Sequence, residues 1–205
     1  MLACLFGNSA LVGHHLPEDE FTAAVSQINA AGFPTSIAYA QATKAMYMEL
    51  EDSTAAIELY KRAIDMLAEC GGRLIEQAIR SLLVGLLSRS EDPDPALASF
   101  VDIVNDWQIC GDTLLAPGIG HLVALLARLG HNDGAARLCG AVTRGIELDA
   151  PVPGLDVTTA TVRGALGDAA VSSAHDAGTA LSYQAAGELA RGLIQHARDQ
   201  LQQSS

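Results

Sequence analysis

The stretch Ser53 to Gly72, STAAIELYKRAIDMLAECGG, constrains this chain most, because it reads as one complete amphipathic helix whose pattern recurs on either side. Ala56, Leu59 or Tyr60, Ala63, Ile64 and Leu67 fall at the three- and four-residue steps that share one helix face. Glu58, Lys61, Arg62, Asp65 and Glu69 occupy the other face. Ser53 is placed to cap the first turn, and Gly71-Gly72 to end the helix in the left-handed conformation. Phe21, Tyr60 and Phe100 stand in equivalent positions, at spacings of 39 and 40 residues; Ala24, Ala63 and Ile103 follow, then Ile28, Leu67 and Trp107. The terminators Ala31-Gly32, Cys70-Gly71 and Cys110-Gly111 repeat with them, and a weaker fourth copy runs through Cys139, Val142 and Ile146.

The intervening stretches Ile37 to Leu50, Gln77 to Ser90 and Pro117 to Gly130 align at a spacing of 40 without a gap, and each reads as a second apolar helix. Thr43, Leu83 and Val123 share one column; Met46, Leu86 and Leu126 share another. A period of this length is that of a helix-turn-helix unit, which cannot bury its apolar face alone and must stack on its neighbours. The expected fold is therefore all-α, a right-handed superhelix of antiparallel helix pairs. Four pairs are expected over residues 1–149, the first one truncated, and capping helices over 150–205.

Composition agrees with helices. Of the 205 residues, 49% are hydrophobic and only 4% aromatic, with Ala and Leu ahead of the β-branched types. There is no run of about 18 uncharged apolar residues to span a bilayer, and the apolar start, Met1 to Val12, has no basic residue ahead of it as a secretory signal would. A cytoplasmic, soluble chain with no membrane partner is expected. The net charge of −12 opposes nucleic-acid binding, which rests on Lys and Arg neutralising phosphates, and only Lys61-Arg62 puts two cations side by side. Cys4, Cys70, Cys110 and Cys139 form no C-x-x-C pair and lie near no His at zinc-ligand spacing, so reduced packing thiols and no metal or cofactor are expected.

In chain order, Met1 to Leu11 reads as the first helix, with His14-His15 in the turn after it and Pro17 in the first turn of the next. Pro34 starts another. The run SLLVGLL within Arg73 to Arg89 suits a helix buried between neighbours, and Glu91-Asp92-Pro93-Asp94-Pro95 breaks it, with Asp92 or Asp94 as the following N-cap. Gly130 to Gly134 is a compact turn signal. After the extended loop Ala150 to Gly154, three shorter helices are expected near 156–166, 168–177 and 182–202, the last with Leu189, Leu193, Ala197 and Leu201 on one stripe.

Tyr47 in one helix with Ala56, Tyr60 and Ala63 in the next resembles the tetratricopeptide pattern in lengthened form, although Lys44 stands where that family prefers a small residue. The stretches Ala135 to Leu148 and Val162 to Ala190 resemble the end of the helical-repeat region of large actinobacterial LuxR-type regulators. The matching columns are Ala135-Ala136-Arg137-Leu138, Leu166-Gly167, and Gly178 with Ala180-Leu181-Ser182; Val171 and His175 replace aromatic residues usual there. Those regulators often place a cyclase-like and an ATPase domain before the repeats and a helix-turn-helix after them. The resemblance implies a non-catalytic scaffold or effector-sensing module of a transcriptional regulator. Its partner would be another protein, the regulator's own missing domains or a small-molecule effector. Homodimerisation through unpaired stack ends is compatible with this. The chain carries no G-x-x-x-x-G-K-[ST] phosphate loop.

Catalysis would need convergent groups, and the six His are scattered, none at H-E-x-x-H spacing. The alternative is a small-molecule hydrolase or transferase using Cys139 or His121. The stronger expectation is a binding groove on the face formed by the first helix of each pair. The columns Gln41/Ser81/His121, Ala45/Gly85/Leu125 and Met48/Ser88/Arg128 point there, with His121 and Arg128 as polar anchors. The competing explanation is that Ala, Gly and Ser merely let helices approach.

Overall fold

The computed structural model describes residues 18–110, 115–143 and 155–204. Within them the chain is helical throughout: α1 (Glu18–Ala31), α2 (Pro34–Met48), α3 (Ser53–Cys70), α4 (Arg73–Leu87), α5 (Asp94–Cys110), α6 (Ala116–Arg128), α7 (Asn132–Thr143), α8 (Leu155–Leu166), α9 (Asp168–Thr179) and α10 (Tyr183–Ser204). No helix among the described residues is long and apolar enough to cross a membrane. The chain divides into two compact units, one up to Leu86 and one from Leu87. The expected first helix (Met1 to Leu11), the His14-His15 turn, the Ala150 to Gly154 loop and the boundary at 149/150 lie outside the described residues.

The first unit is built on the α2–α3 hairpin. Pro34 occupies the first turn of α2, where its missing N–H is not needed. The α3 cap is Asp52 rather than Ser53: Asp52 lies in a non-helical conformation and its carboxylate accepts from the Ala55 N–H at 2.9 Å, while Ser53 is already inside the helix. At the other end Gly71, at φ 77°, returns its N–H to the Leu67 carbonyl, and Gly32 ends α1 with φ 73°. The Tyr60 hydroxyl donates to Glu49 at 2.6 Å, tying α3 to the turn after α2. On α4 the run Leu83-Val84-Gly85-Leu86 is buried, as is Glu76, which pairs with Arg80 one turn on at 2.6 Å.

The 40-residue spacing corresponds to burial. Tyr60 and Phe100, Ala63 and Ile103, and Leu67 and Trp107 are all between 0% and 2% exposed, on α3 and α5 respectively. Thr43, Leu83 and Val123 are likewise buried.

In the second unit α6 and α7 form a hairpin, α5 packs on α6, and α8 and α9 close over α7. α7 and α9 meet backbone to backbone: a Cβ at Gly140 would lie 2.0 Å from the His175 carbonyl oxygen, and one at Gly178 1.9 Å from that of Arg137. α10 then returns to pack on α5, with further contacts to α7 and α6. Its buried stripe is centred on Ala186, Ala190, Ile194 and Ala197, whereas Leu189, Leu193 and Leu201 are half-buried flanks. Small side chains bring this face close, and Gly187 sits where a Cβ would meet the Gln108 side chain at 2.9 Å.

Candidate functional site

The six expected groove residues divide between the units. In the first unit, Gln41 and Met48 on α2 are half-buried, and the Gln41 amide oxygen is enclosed with no hydrogen-bond partner among the described residues. Ser81 on α4 is 5% exposed, and its hydroxyl donates to the Gln77 carbonyl one turn back. In the second unit, His121 is half-buried on α6, and Ser88 and Arg128 are brought together. Arg128 Nη2 donates to the Ser88 carbonyl at 2.7 Å and Nη1 to the Ser90 carbonyl at 3.3 Å. The guanidinium thus serves the carbonyls released at the end of α4, where a cation is favoured.

The column Ala45/Gly85/Leu125, expected to line the same face, is buried at all three positions. Met48/Ser88/Arg128 is the column that stays near the surface.

A polar cluster joins α7, α8 and α9. Cys139 and Thr143 stand one turn apart on α7, and the Thr143 hydroxyl donates to the Cys139 carbonyl at 2.9 Å. The same hydroxyl lies 3.2 Å from His175 Nε2, a bond whose direction follows the imidazole tautomer. His175 Nδ1 lies 3.9 Å from Asp176, beyond hydrogen-bond reach. Burial pushes the Cys139 thiol above its ordinary pKa, against a smaller lowering from its hydrogen bond to Thr159. The thiolate, which is the nucleophile, is correspondingly disfavoured at neutral pH. Cys70, in contrast, is exposed, 3.6 Å from the Thr35 hydroxyl.

The most developed polar arrangement is the seat of α10, which sequence reasoning missed. At its start Tyr183 stands edge-on to Trp107 of α5, ring centroids 5.7 Å apart. At mid-length Arg191 donates to Asn105 at 3.3 Å and to Gln108 Oε1, and Gln108 Nε2 donates to the Gln184 carbonyl at 3.1 Å. Near its end Arg198 forks onto Asp94, Nε to Oδ1 at 2.7 Å and Nη2 to Oδ2 at 3.2 Å. Asp94 is thereby a partner for α10, while Asp92 caps the entry to α5 by accepting the Asp94 N–H at 3.0 Å. Beside this pair, His196 of α10 touches His131 of the α6–α7 turn, with ring centroids 5.3 Å apart and planes at 69°. The sequence signal was the residue types alone, two Arg and one His on a helix whose apolar face is mostly alanine.

Among the described residues no group of three or more His, Cys, Asp or Glu is arranged to hold a metal. The chain matches no family model, no curated protein and no solved structure.

Proposed function

We propose that this chain is a non-catalytic helical scaffold, a tetratricopeptide-like right-handed stack of helix pairs that works by binding another protein. The observation that carries the reading is the equal burial of Tyr60 with Phe100, Ala63 with Ile103 and Leu67 with Trp107, the pattern a repeated stacking unit requires. The raised Cys139 pKa supports a structural rather than a nucleophilic role for that thiol. The sequence resemblance supports placement within a LuxR-type transcriptional regulator in the cytoplasm, its partner being another domain of that regulator.

The test is direct binding between this chain and the ATPase-like and helix-turn-helix domains encoded in the flanking reading frame, by calorimetry. Saturable binding weakened by Met48→Glu at the surface end of α2, with the melting temperature unchanged, supports the reading. A frame lacking such domains, or no heat of binding with either, refutes the regulator assignment. Small-angle scattering of the chain tests the stack itself, because a superhelix gives a longer maximum dimension than a globule of the same mass.

A further inference from the structure

α10 lies on α5 and α7 by a face whose fully buried residues are mostly small, Ala186, Ala190, Ile194 and Ala197, with Leu189, Leu193 and Leu201 half-buried beside them and Leu193 against Gly134. Apolar burial scales with the area removed from water, so the small buried residues leave the polar contacts a large share in keeping the helix down. One of those contacts is titratable near neutrality. His131 is the residue from which α7 starts: its carbonyl accepts the first helical bond, from Ala135, at 2.9 Å. Its imidazole meets that of His196, and its Nε2 is enclosed with no hydrogen-bond partner among the described residues.

We propose that α10 is an acid-releasable latch: His131 and His196 hold their edge-to-face contact while neutral, and repel across it once both are protonated, freeing the C-terminal helix from α5. A cation at His131 is disfavoured three times over, by partial burial, by a second imidazolium in ring contact, and by the positive end of the α7 dipole. Few charges on the surrounding elements relieve it. On α10, Arg198 is paired with Asp94 of α5, and Asp199 accepts from Gln195 at 2.7 Å. Arg128 of α6 serves the carbonyls of Ser88 and Ser90, His175 of α9 is bonded to Thr143 with Asp176 beside it, and Arg163 of α8 pairs with Asp168. On α7, Arg137 is half-buried and Asp133 is exposed to solvent.

The direction of the effect follows from linkage. Burial, then the His196 charge, lowers the folded-state pKa of His131 below its ordinary 6.5. The unfolded or released state therefore binds the proton more readily, so seating is unaffected above pH 6.5 and weakens as pH falls below it, down to the lowered value.

Trp107 is the only tryptophan, buried and in contact with Tyr183, so its emission reports the seat of α10 directly. The experiment titrates the full chain from about pH 8 to about pH 5, the range over which His changes charge. Trp107 emission is followed together with the imidazole NMR signals, in the unaltered chain, His131→Asn and His196→Gln. The expected result is a reversible red shift that begins below pH 6.5, with most helical circular dichroism retained and His131 titrating below its ordinary 6.5. Both variants should lose the shift until the carboxylate range, roughly pH 4. Constant emission in the unaltered chain, or variants that keep the same midpoint, overturns the proposal. Should a variant fail to fold at the alkaline end, the NMR and Trp107 curves of the unaltered chain decide alone. A His131 titration at the ordinary His value overturns the latch; one lowered below it, with the midpoint shared by the Trp107 shift, supports it.

Discussion

Replacing Gly140 by Ala should be among the most damaging single-methyl changes in the second unit. The new Cβ would lie 2.0 Å from the His175 carbonyl oxygen, against 3.4 Å for ordinary contact, so α9 must lift from α7 by about 1.4 Å at the crossing. The obstructing atom is backbone, so no side-chain rotation relieves it. A lift of that size stretches the 3.2 Å Thr143–His175 bond beyond reach, a loss of about 1 kcal/mol. It also opens a gap along the helix contact, for which overpacking costs of about 1–3 kcal/mol, occasionally more, are the guide. Against this stands the gain of about 1 kcal/mol from replacing glycine inside a helix. The net expectation is a loss of about 1–3 kcal/mol, or about 2–12 °C in melting temperature for a chain of this size. Gly178→Ala should behave alike, its Cβ being 1.9 Å from the Arg137 carbonyl oxygen. Gly164→Ala is the control with the opposite sign: nothing lies within 4 Å of its Cβ, and a gain of about 0.5–1 kcal/mol is expected. Scanning calorimetry of the three variants reads all of this. A Gly140→Ala chain that melts at or above the unaltered temperature would refute the close-crossing argument.

Three further outcomes follow from other contacts. Asp52→Ala should destabilise by about 1 kcal/mol in urea unfolding through loss of the α3 cap, and Ser53→Ala by less than about 0.5 kcal/mol. Tyr60→Phe should cost about 1.5 kcal/mol in the same assay, because it removes a 2.6 Å bond to the Glu49 carboxylate while leaving the buried ring in place. Peptide mapping after brief iodoacetamide treatment should find Cys70 modified well before Cys139, and the Cys139 rate should keep rising at pH values where an ordinary thiol has levelled off, since its pKa is raised.

The helices and their buried columns were legible because both follow from spacing. The residues at 60, 63, 67 and at 100, 103, 107 had to share a face, and burial of that face is what folding supplies. The choice between Asp52 and Ser53 as cap was not legible, since either side chain suits and the backbone of Asp52, at φ −145° and ψ 85°, decides it. The groove expectation carries the same ambiguity at larger scale. Periodicity says that Ala45, Gly85 and Leu125 share a column, but whether small residues open a groove or close a helix contact depends on what lies opposite; here all three are buried. The bonds of Arg128 to the carbonyls of Ser88 and Ser90 were not legible, because those acceptors are main-chain groups with no side-chain signature. The seat of α10 was hidden for a related reason: an amphipathic stripe names the face to be covered and not the distant element that covers it.

That seat also changes how stability should be distributed in the second unit. In a stack where each helix pair touches only its neighbours, stability adds along the chain and the ends fray first. Here the last helix closes onto the first helix of the unit. Gln108 reaches the Gln184 carbonyl 76 residues away, and Arg198 reaches Asp94 across 104 residues. Such closure costs chain entropy that grows only slowly with the length enclosed, so a modest set of contacts sustains it. The contacts chosen are half-exposed ion pairs and hydrogen bonds over an alanine face, which salt and pH can weaken far more readily than a leucine seam. High salt alone should therefore uncover Trp107 before it melts the α6–α7 hairpin, which buries Leu122, Leu126 and Leu138, and a single transition in both probes would count against an independently releasable α10.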